Sequence, residues 1–231
     1  MPVKAARPMV AVIIDDMGLD RKRSARIVGL PAPLTISYMT YAGHLAEQAA
    51  EAHGRGHELM MHMPMQPLSE KNDAGPDVLS EGMPPDELRR RVDADLARFS
   101  GYVGVNNHMG SRFTADGPGM KIVMEELKKR GLLFIDSMTT GKSTGQAMAR
   151  AEGVPSASRD VFLDHVDDDK AILAELAKVE AQAKKNGTAI AIGHPRDKTI
   201  EALALWLPSL AEKGITLVPV TAVVQSRSGR D

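Results

Sequence analysis

Short apolar runs alternate with amphipathic stretches from one end of the chain to the other. The first run, Val10–Ile14, is closed by two adjacent acids, Asp15 and Asp16, with Gly18 just behind them. It has no 3.6-residue period, so it reads as a strand buried on both faces. Successive side chains on a strand point to opposite faces. Asp15 and Asp16 can therefore share an orientation only if the strand breaks there, which Gly18 permits. Two acids at the end of a buried strand are costly unless a cation or hydrogen bonds hold them. The plainer alternative is a polar turn with one acid capping the next helix.

Further strands are predicted at Leu34–Met39, His57–Met63 (cut by Pro64), Val103–His108, Leu132–Asp136, Val161–Asp164, Ala189–Gly193 and Ile215–Val220. Helices are predicted at Arg21–Val28, His44–His53, Pro84 to Ser100, Pro118–Lys129, Thr144–Ala151, Asp168–Lys185 and Lys198–Lys213. The clearest is Asp168–Lys185, where Ile172, Leu173, Leu176 and Val179 share a face and Asn186-Gly187 closes it. Pro208 is expected to kink the last helix. Gln66–Pro84 reads as a long loop rich in Pro, Gly, Asp and Ser.

Alternating strands and helices imply a parallel sheet. Seven or eight nearly continuous apolar strands favour an α/β fold in which one (β/α) barrel spans residues 1–231 as a single domain. The polar residues sharpen this. Asp15, Asp16, His62, His108, Asp136, Asp164 and His194 all fall at the C-terminal ends of predicted strands. In such a barrel those ends form one face, the face on which sites are built.

The histidines divide by position. His44 and His53 read as helix-surface residues, His57 as structural, and His165, in an acidic loop, is ambiguous. His62, His108 and His194 each follow a buried strand. One such histidine is more often a satisfied core residue. Three beside a carboxylate pair read as a metal site plus a proton-transfer group. Two imidazoles and a carboxylate with an open fourth position are a ligand set of catalytic zinc. Met17, Met61, Met63, Met65 and Met109 read as apolar filling around it.

Composition narrows the partners. A net charge of −1 and 3% aromatics give no basis for binding nucleic acid or an anionic membrane surface. No apolar run reaches the ~18 residues of a membrane span. The absence of cysteine removes disulfides, thiolate nucleophiles and cysteine-type zinc sites. The opening MPVKAARP lacks the apolar core of a signal peptide, so residues 1–8 are expected to be a trimmed, flexible N-terminus.

Several segments together resemble NodB-type polysaccharide deacetylases. Gly56-His-Glu-Leu-Met-Met-His62 resembles their Gly-His-Glu-Ile-Gly-Asn-His segment, Asp15-Asp16 their Asp-Asp-Gly motif, and Ile192-Gly-His194 their closing strand. Val105-Asn-Asn-His-Met-Gly-Ser-Arg-Phe-Thr114 resembles the signature of one branch, the divergent polysaccharide deacetylases of bacteria. The resemblance implies a distorted, often seven-stranded (β/α) barrel. It implies a metal-dependent hydrolase that removes acetyl groups from an N- or O-acetylated polysaccharide, a cell-envelope glycan in the periplasm. The targeting segment would then be absent from this chain. It assigns Asp15 as general base, Asp16 and His62 as metal ligands, and His194 as general acid.

The resemblance breaks at one ligand. The second metal histidine of the mainstream family falls on Gln66, and no Arg-x-Pro-Tyr motif is present. His108 is expected to supply the missing imidazole, giving Asp16, His62 and His108 around a divalent ion, most simply Zn2+. Arg112 with Asp136 or Asp164 is expected to orient Asp15 or His194, with a structural ion pair equally open. Asn107 and Ser111 are candidates for binding substrate. Two other readings stand beside this one: a catalytically silent member that binds an envelope glycan or a protein, and a hydrolase of a non-carbohydrate amide.

Overall fold

The computed structural model of the chain describes residues 7–229. Strand β1 (Met9–Met17) is the centre of a parallel sheet. On one side follow β2 (Thr35–Met39), β3 (Glu58–Met65), β4 (Gly104–Met109), β5 (Leu133–Asp136) and β6 (Ser156–Ser158). On the other side lie β8 (Thr188–Gly193) and β7 (Val161–Phe162), and a short β9 (Thr216–Leu217) also pairs with β1. Only Arg159 and Asp160 separate β6 from β7. The Arg159 N–H donates to the Asp136 carbonyl and the Asp160 N–H to that of Ile190. One chain segment thus leaves the edge at β5 and joins the edge at β8, closing the ring covalently where no ladder joins β6 to β7. If β6 and β7 count as one broken stave, the barrel has seven.

Eight helices complete the described fold: α1 (Arg21–Val28), α2 (Leu45–Gly54), α3 (Pro85–Leu96), α4 (Gly117–Lys129), α5 (Gly145–Glu152), α6 (Asp169–Asn186), α7 (Asp197–Ser209) and α8 (Val220–Ser228). The strands read as continuous apolar runs because both faces are covered. On β1, Val10, Val12 and Ile14 pack in the large outer core, while Ala11 and Ile13 belong to a smaller cluster inside the ring. That inner cluster also holds Met60, Ile135, Ile190 and Ile192.

The inner cluster is completed by Val220, Val223 and Val224 of α8. This corrects the expected strand at Ile215–Val220. Only Thr216 and Leu217 pair as strand, and Pro219 then opens a helix. Its β-branched residues look like strand, but their i, i+3, i+4 spacing lets one face plug the barrel floor, and burial overrides propensity. The plug is bonded to the starts of the strands. The Val220 N–H donates to Thr35 Oγ1 at 3.1 Å, Thr221 Oγ1 to Glu58 Oε2 at 2.5 Å, and Arg227 Nε to Thr188 Oγ1 at 3.1 Å.

Three smaller expectations also change. Pro64 does not cut β3, which runs on to Met65. Its carbonyl accepts from the Leu79 N–H, so its polar edge faces the side that β2 has left at Met39, where a missing N–H costs no ladder bond. α7 ends at Ser209, one residue past Pro208, so little helix is left to kink. The strand β6 went unpredicted because Ser156-Ala-Ser158 has no apolar run. Of the expected flexible N-terminus, residues 1–6 lie outside the described residues, and the Pro8 carbonyl accepts from the Thr216 N–H.

Candidate active site

The site forms at the C-terminal mouth of the barrel. The β1/β2 ladder slips between Ile14 and Met17, and Asp16 takes the left-handed backbone region at φ +55°. Asp tolerates that region, and the bulge re-aims its side chain. Both carboxylates thereby reach the mouth. Gly18 makes the following turn at φ +97°, where a Cβ would stand 2.7 Å from that of Ala42.

On the neighbouring strands the register sets His62 beside Asn106 and Pro64 beside His108. The period of two turns His62, Asn106 and His108 to the inside. One imidazole nitrogen of His108 lies 3.0 Å from Asp16 Oδ1, and Nε2 of His62 lies 3.4 Å from the same oxygen. Asp16 Oδ1 is buried, and among the described residues it accepts no well-directed hydrogen bond. Ligand atoms of Asp16, His62 and His108 all lie within 4.8 Å of one another. Two imidazole nitrogens and a carboxylate oxygen converging on one point fit a divalent ion.

The charges agree with that arrangement. Burial alone would raise the Asp16 carboxyl, but the imidazoles of His108 and His62 outweigh it and hold it well below the usual carboxylate range. Burial would likewise lower His62, yet Asp15 and Asp16 raise it above the ordinary histidine value. A field that favours a proton on His62 also favours a metal cation in its place.

Asp15 is differently placed. It is 2% exposed, and burial pushes its carboxyl above the ordinary value against the pull of His62, His194 and a bond from Asn106. Asn106 Nδ2 donates to Asp15 Oδ1 at 2.7 Å. Asn106 Oδ1 accepts from His62 Nδ1 at 2.8 Å and from Ser37 Oγ at 2.6 Å. This one amide therefore fixes His62 as the Nδ1–H tautomer, turns its Nε2 lone pair to the mouth, and anchors Asp15.

His194 follows β8. Its Nδ1 donates to Asp164 Oδ1 at 2.9 Å, and its N–H to Asp164 Oδ2 at 2.7 Å. Thr199 Oγ1 donates to the same Oδ2 at 2.7 Å. Burial would lower His194, but Asp164 outweighs it and raises it. Its free Nε2 lies 3.9 Å from Asp16 Oδ2. Asp15, Asp16, His62, His108 and His194 line a cleft of about 520 Å³, which also takes in Met109, Phe162, Arg159 and Arg196.

The model of the divergent polysaccharide deacetylase family matches residues 12–224. The chain belongs to that family. The uncharacterised protein YibQ of Escherichia coli K12 is 34% identical over 227 residues, 96% of this chain and 69% of that one. The crystal structure of the uncharacterised protein ATU2773 of Agrobacterium tumefaciens C58 superposes with a TM-score of 0.92 at 30% identity, covering 96% of this chain and 91% of that one. More distantly, BA3943 of Bacillus anthracis, a CE4 family pseudoenzyme, shares the fold at a TM-score of 0.59 and 14% identity, covering 94% of this chain and 66% of that one.

Within the divergent polysaccharide deacetylase family, the chain differs from its expected layout in several contacts. Gln66 is turned away from the mouth, and its Oε1 accepts from the Glu81 N–H at 2.9 Å. Arg112 meets neither Asp136 nor Asp164. It reaches the Leu68 carbonyl and stands 3.8 Å from Glu81, because the turn at Gly110 carries it under the 66–84 loop. Ser111 Oγ is engaged by the Leu68 N–H. Asn107 lies beside the cleft, but its Nδ2 donates to the Met109 carbonyl and its Oδ1 accepts from the Ser137 N–H, so its amide shapes the wall. Asp136 is buried against the Met138 N–H and Ser143 Oγ, away from Asp15 and His194. His57 is structural, bonded to the Leu34 N–H and facing the Val28 carbonyl.

Asn106, Arg159 and Arg196 join the site without being singled out by the strand-end pattern. Asn106 carried a usable signal, since it sits two residues before His108 on the same strand and so faces the same way. Arg159 had none: it reaches the mouth only because the ring closes through it.

Proposed function

We propose that the chain is a metal-dependent hydrolase that removes acetyl groups from an N- or O-acetylated envelope polysaccharide. The observation that carries this reading is the buried Oδ1 of Asp16 between two imidazole nitrogens, at 3.0 and 3.4 Å, with a buried carboxylate and a carboxylate-bound histidine beside it. A divalent ion held by Asp16, His62 and His108 would acidify a water and polarise the acyl carbonyl.

The remaining steps belong to the chain. Asp15, its carboxyl raised by burial and held by Asn106, takes the proton of the attacking water. His194, whose protonated form Asp164 favours, delivers a proton from Nε2 to the leaving nitrogen or oxygen. Met109, Met138 and Phe162 give the cleft an apolar wall suited to an acetyl methyl group. Zinc and an envelope location are part of the same proposal, the location from the family resemblance. Among the described residues, no helix is long and apolar enough to cross a membrane.

A second reading, a silent glycan- or protein-binding member, is favoured by one observation: the position of the mainstream second histidine is Gln66, tied into a loop. Release of acetate from acetylated glucosamine oligomers by the zinc-loaded protein separates the two. Acetate release that disappears with a chelator supports the hydrolase. A zinc-loaded protein that binds the oligomers without releasing acetate supports the silent reading.

A further inference from the structure

The β7–β8 side of the cleft carries two arginines that the proposed proton transfers do not use. Arg159 forms the joint between β6 and β7. Its Nε donates to the Ser137 carbonyl at 2.8 Å, its Nη2 donates to the Met138 carbonyl at 3.1 Å, and its guanidinium lies 4.8 Å from the centre of the Phe162 ring. Arg196 donates from Nη1 to the Asp164 carbonyl. Among the described residues neither forms an ion pair with a carboxylate, whereas Arg89, Arg130 and Arg227 all do.

The acids around Arg159 are already engaged. Asp136 accepts from Met138 and Ser143, and Asp160 from the Ile190 N–H and Arg227. Asp164 accepts from His194 and Thr199, and Asp15 from Asn106. Arg159 is thus a half-buried guanidinium held rigid by two carbonyls and an aromatic ring, without a counter-ion. Its Nη1 and one hydrogen of Nη2 remain, and together they form the flat edge that meets a carboxylate with two parallel bonds.

We propose that the substrate is an acylated sugar carrying a carboxylate close to the scissile acyl group, and that Arg159, with Arg196 beside it, binds that carboxylate. This rests on the reading of the cleft as a deacetylase site and adds the class of sugar it takes. A charged anchor here sets which acetyl group enters the mouth, because the anion and the acyl carbonyl are held at once.

The test uses two matched ligands: an N-acetylglucosamine tetramer bearing a carboxymethyl ether beside the acetamide, and its uncharged methyl ester. Binding is measured by calorimetry on the zinc-loaded full chain carrying Asp15→Asn, and acetate release on the parent. The free acid is expected to bind at least about tenfold more tightly than the ester. The preference should shrink as salt is raised. Arg159→Gln should bring the acid-to-ester ratio to about one, Arg159→Lys should keep part of it, and Arg196→Gln should lower it. The ratio is the readout because a loosened wall weakens both ligands alike. Equal binding of acid and ester, a ratio that survives Arg159→Gln, or no binding of either ligand overturns the proposal. A preference for the acid that needs Arg159 but comes without acetate release would keep the carboxylate site at Arg159 and remove the deacetylase reading. Equal acetate release from both ligands would do the reverse.

Discussion

The two ends of the barrel are built from the same kinds of residue and differ in what those residues are bonded to. At the floor, Glu58 accepts from Thr35 and Thr221, Arg227 reaches Thr188 and Asp160, and the first N–H of α8 finds Thr35. Each of these bonds joins the α8 plug to the sheet or one strand to another. At the mouth, among the described residues, Asp16 Oδ1 accepts no well-directed hydrogen bond, Asp15 is buried with its carboxyl raised, and Arg159 pairs with no carboxylate. Polar groups at the floor hold the fold together. Polar groups at the mouth keep bonding capacity in reserve, which costs stability unless a ligand takes it up.

The largest expected contrast between the ends is catalytic. Asp15→Asn should lower kcat by about 10²–10⁴-fold while bound zinc stays near its parental level. Steady-state kinetics paired with elemental analysis checks this, and parental activity in the variant would remove Asp15 as the base. Next in size, Asn106→Ala frees His62 Nδ1 and Asp15 Oδ1 together. Zinc affinity measured against a competing chelator should fall by about 10–100-fold.

Asp95 sharpens the comparison from a third position, on α3, away from both ends. It is buried with one carboxylate oxygen unpartnered, and burial raises it from 3.8 to about 6 despite a bond from Thr40. Because the folded value lies above the unfolded one, its contribution to stability is fully present below pH 3.8 and is lost as pH rises through about 6. Asp95→Asn should therefore be more stable than the parent at pH 8, on the order of 2 kcal/mol, with the gap closing near pH 4. Urea unfolding at both pH values measures it, and an equal gap at both would contradict the assignment. The smallest effect belongs to the floor. Thr221→Val should cost about 1 kcal/mol, a fall in Tm of about 2–4 °C, with zinc content and kcat unchanged.

Much of the frame was legible from local pattern. The helix predicted at Arg21–Val28 has those bounds, and β2, β4, β5 and β8 begin or end within a residue of their apolar runs. The strand-end rule also gathered Asp15, Asp16, His62, His108 and His194 at one mouth, because apolar runs that stop at a polar residue mark where strands leave the core. What escaped depends on closure of the ring. The valines of α8 become a helix only because the barrel floor needs a plug, and Ser156–Ser158 becomes a strand only because β5 offers it an edge. Arg112 meets neither expected acid for the same kind of reason. Its distance from the mouth is set by the turn at Gly110, where φ is +87° and a Cβ would stand 2.9 Å from that of Met65.

The most direct test of the account is the zinc content of three purified proteins: the parent, His108→Ala and Gln66→Ala. The account predicts close to one ion per chain in the parent and in Gln66→Ala, and little or none in His108→Ala. A parent that takes up no zinc when it is supplied, or a His108→Ala variant that keeps its zinc, would contradict the site at the barrel mouth.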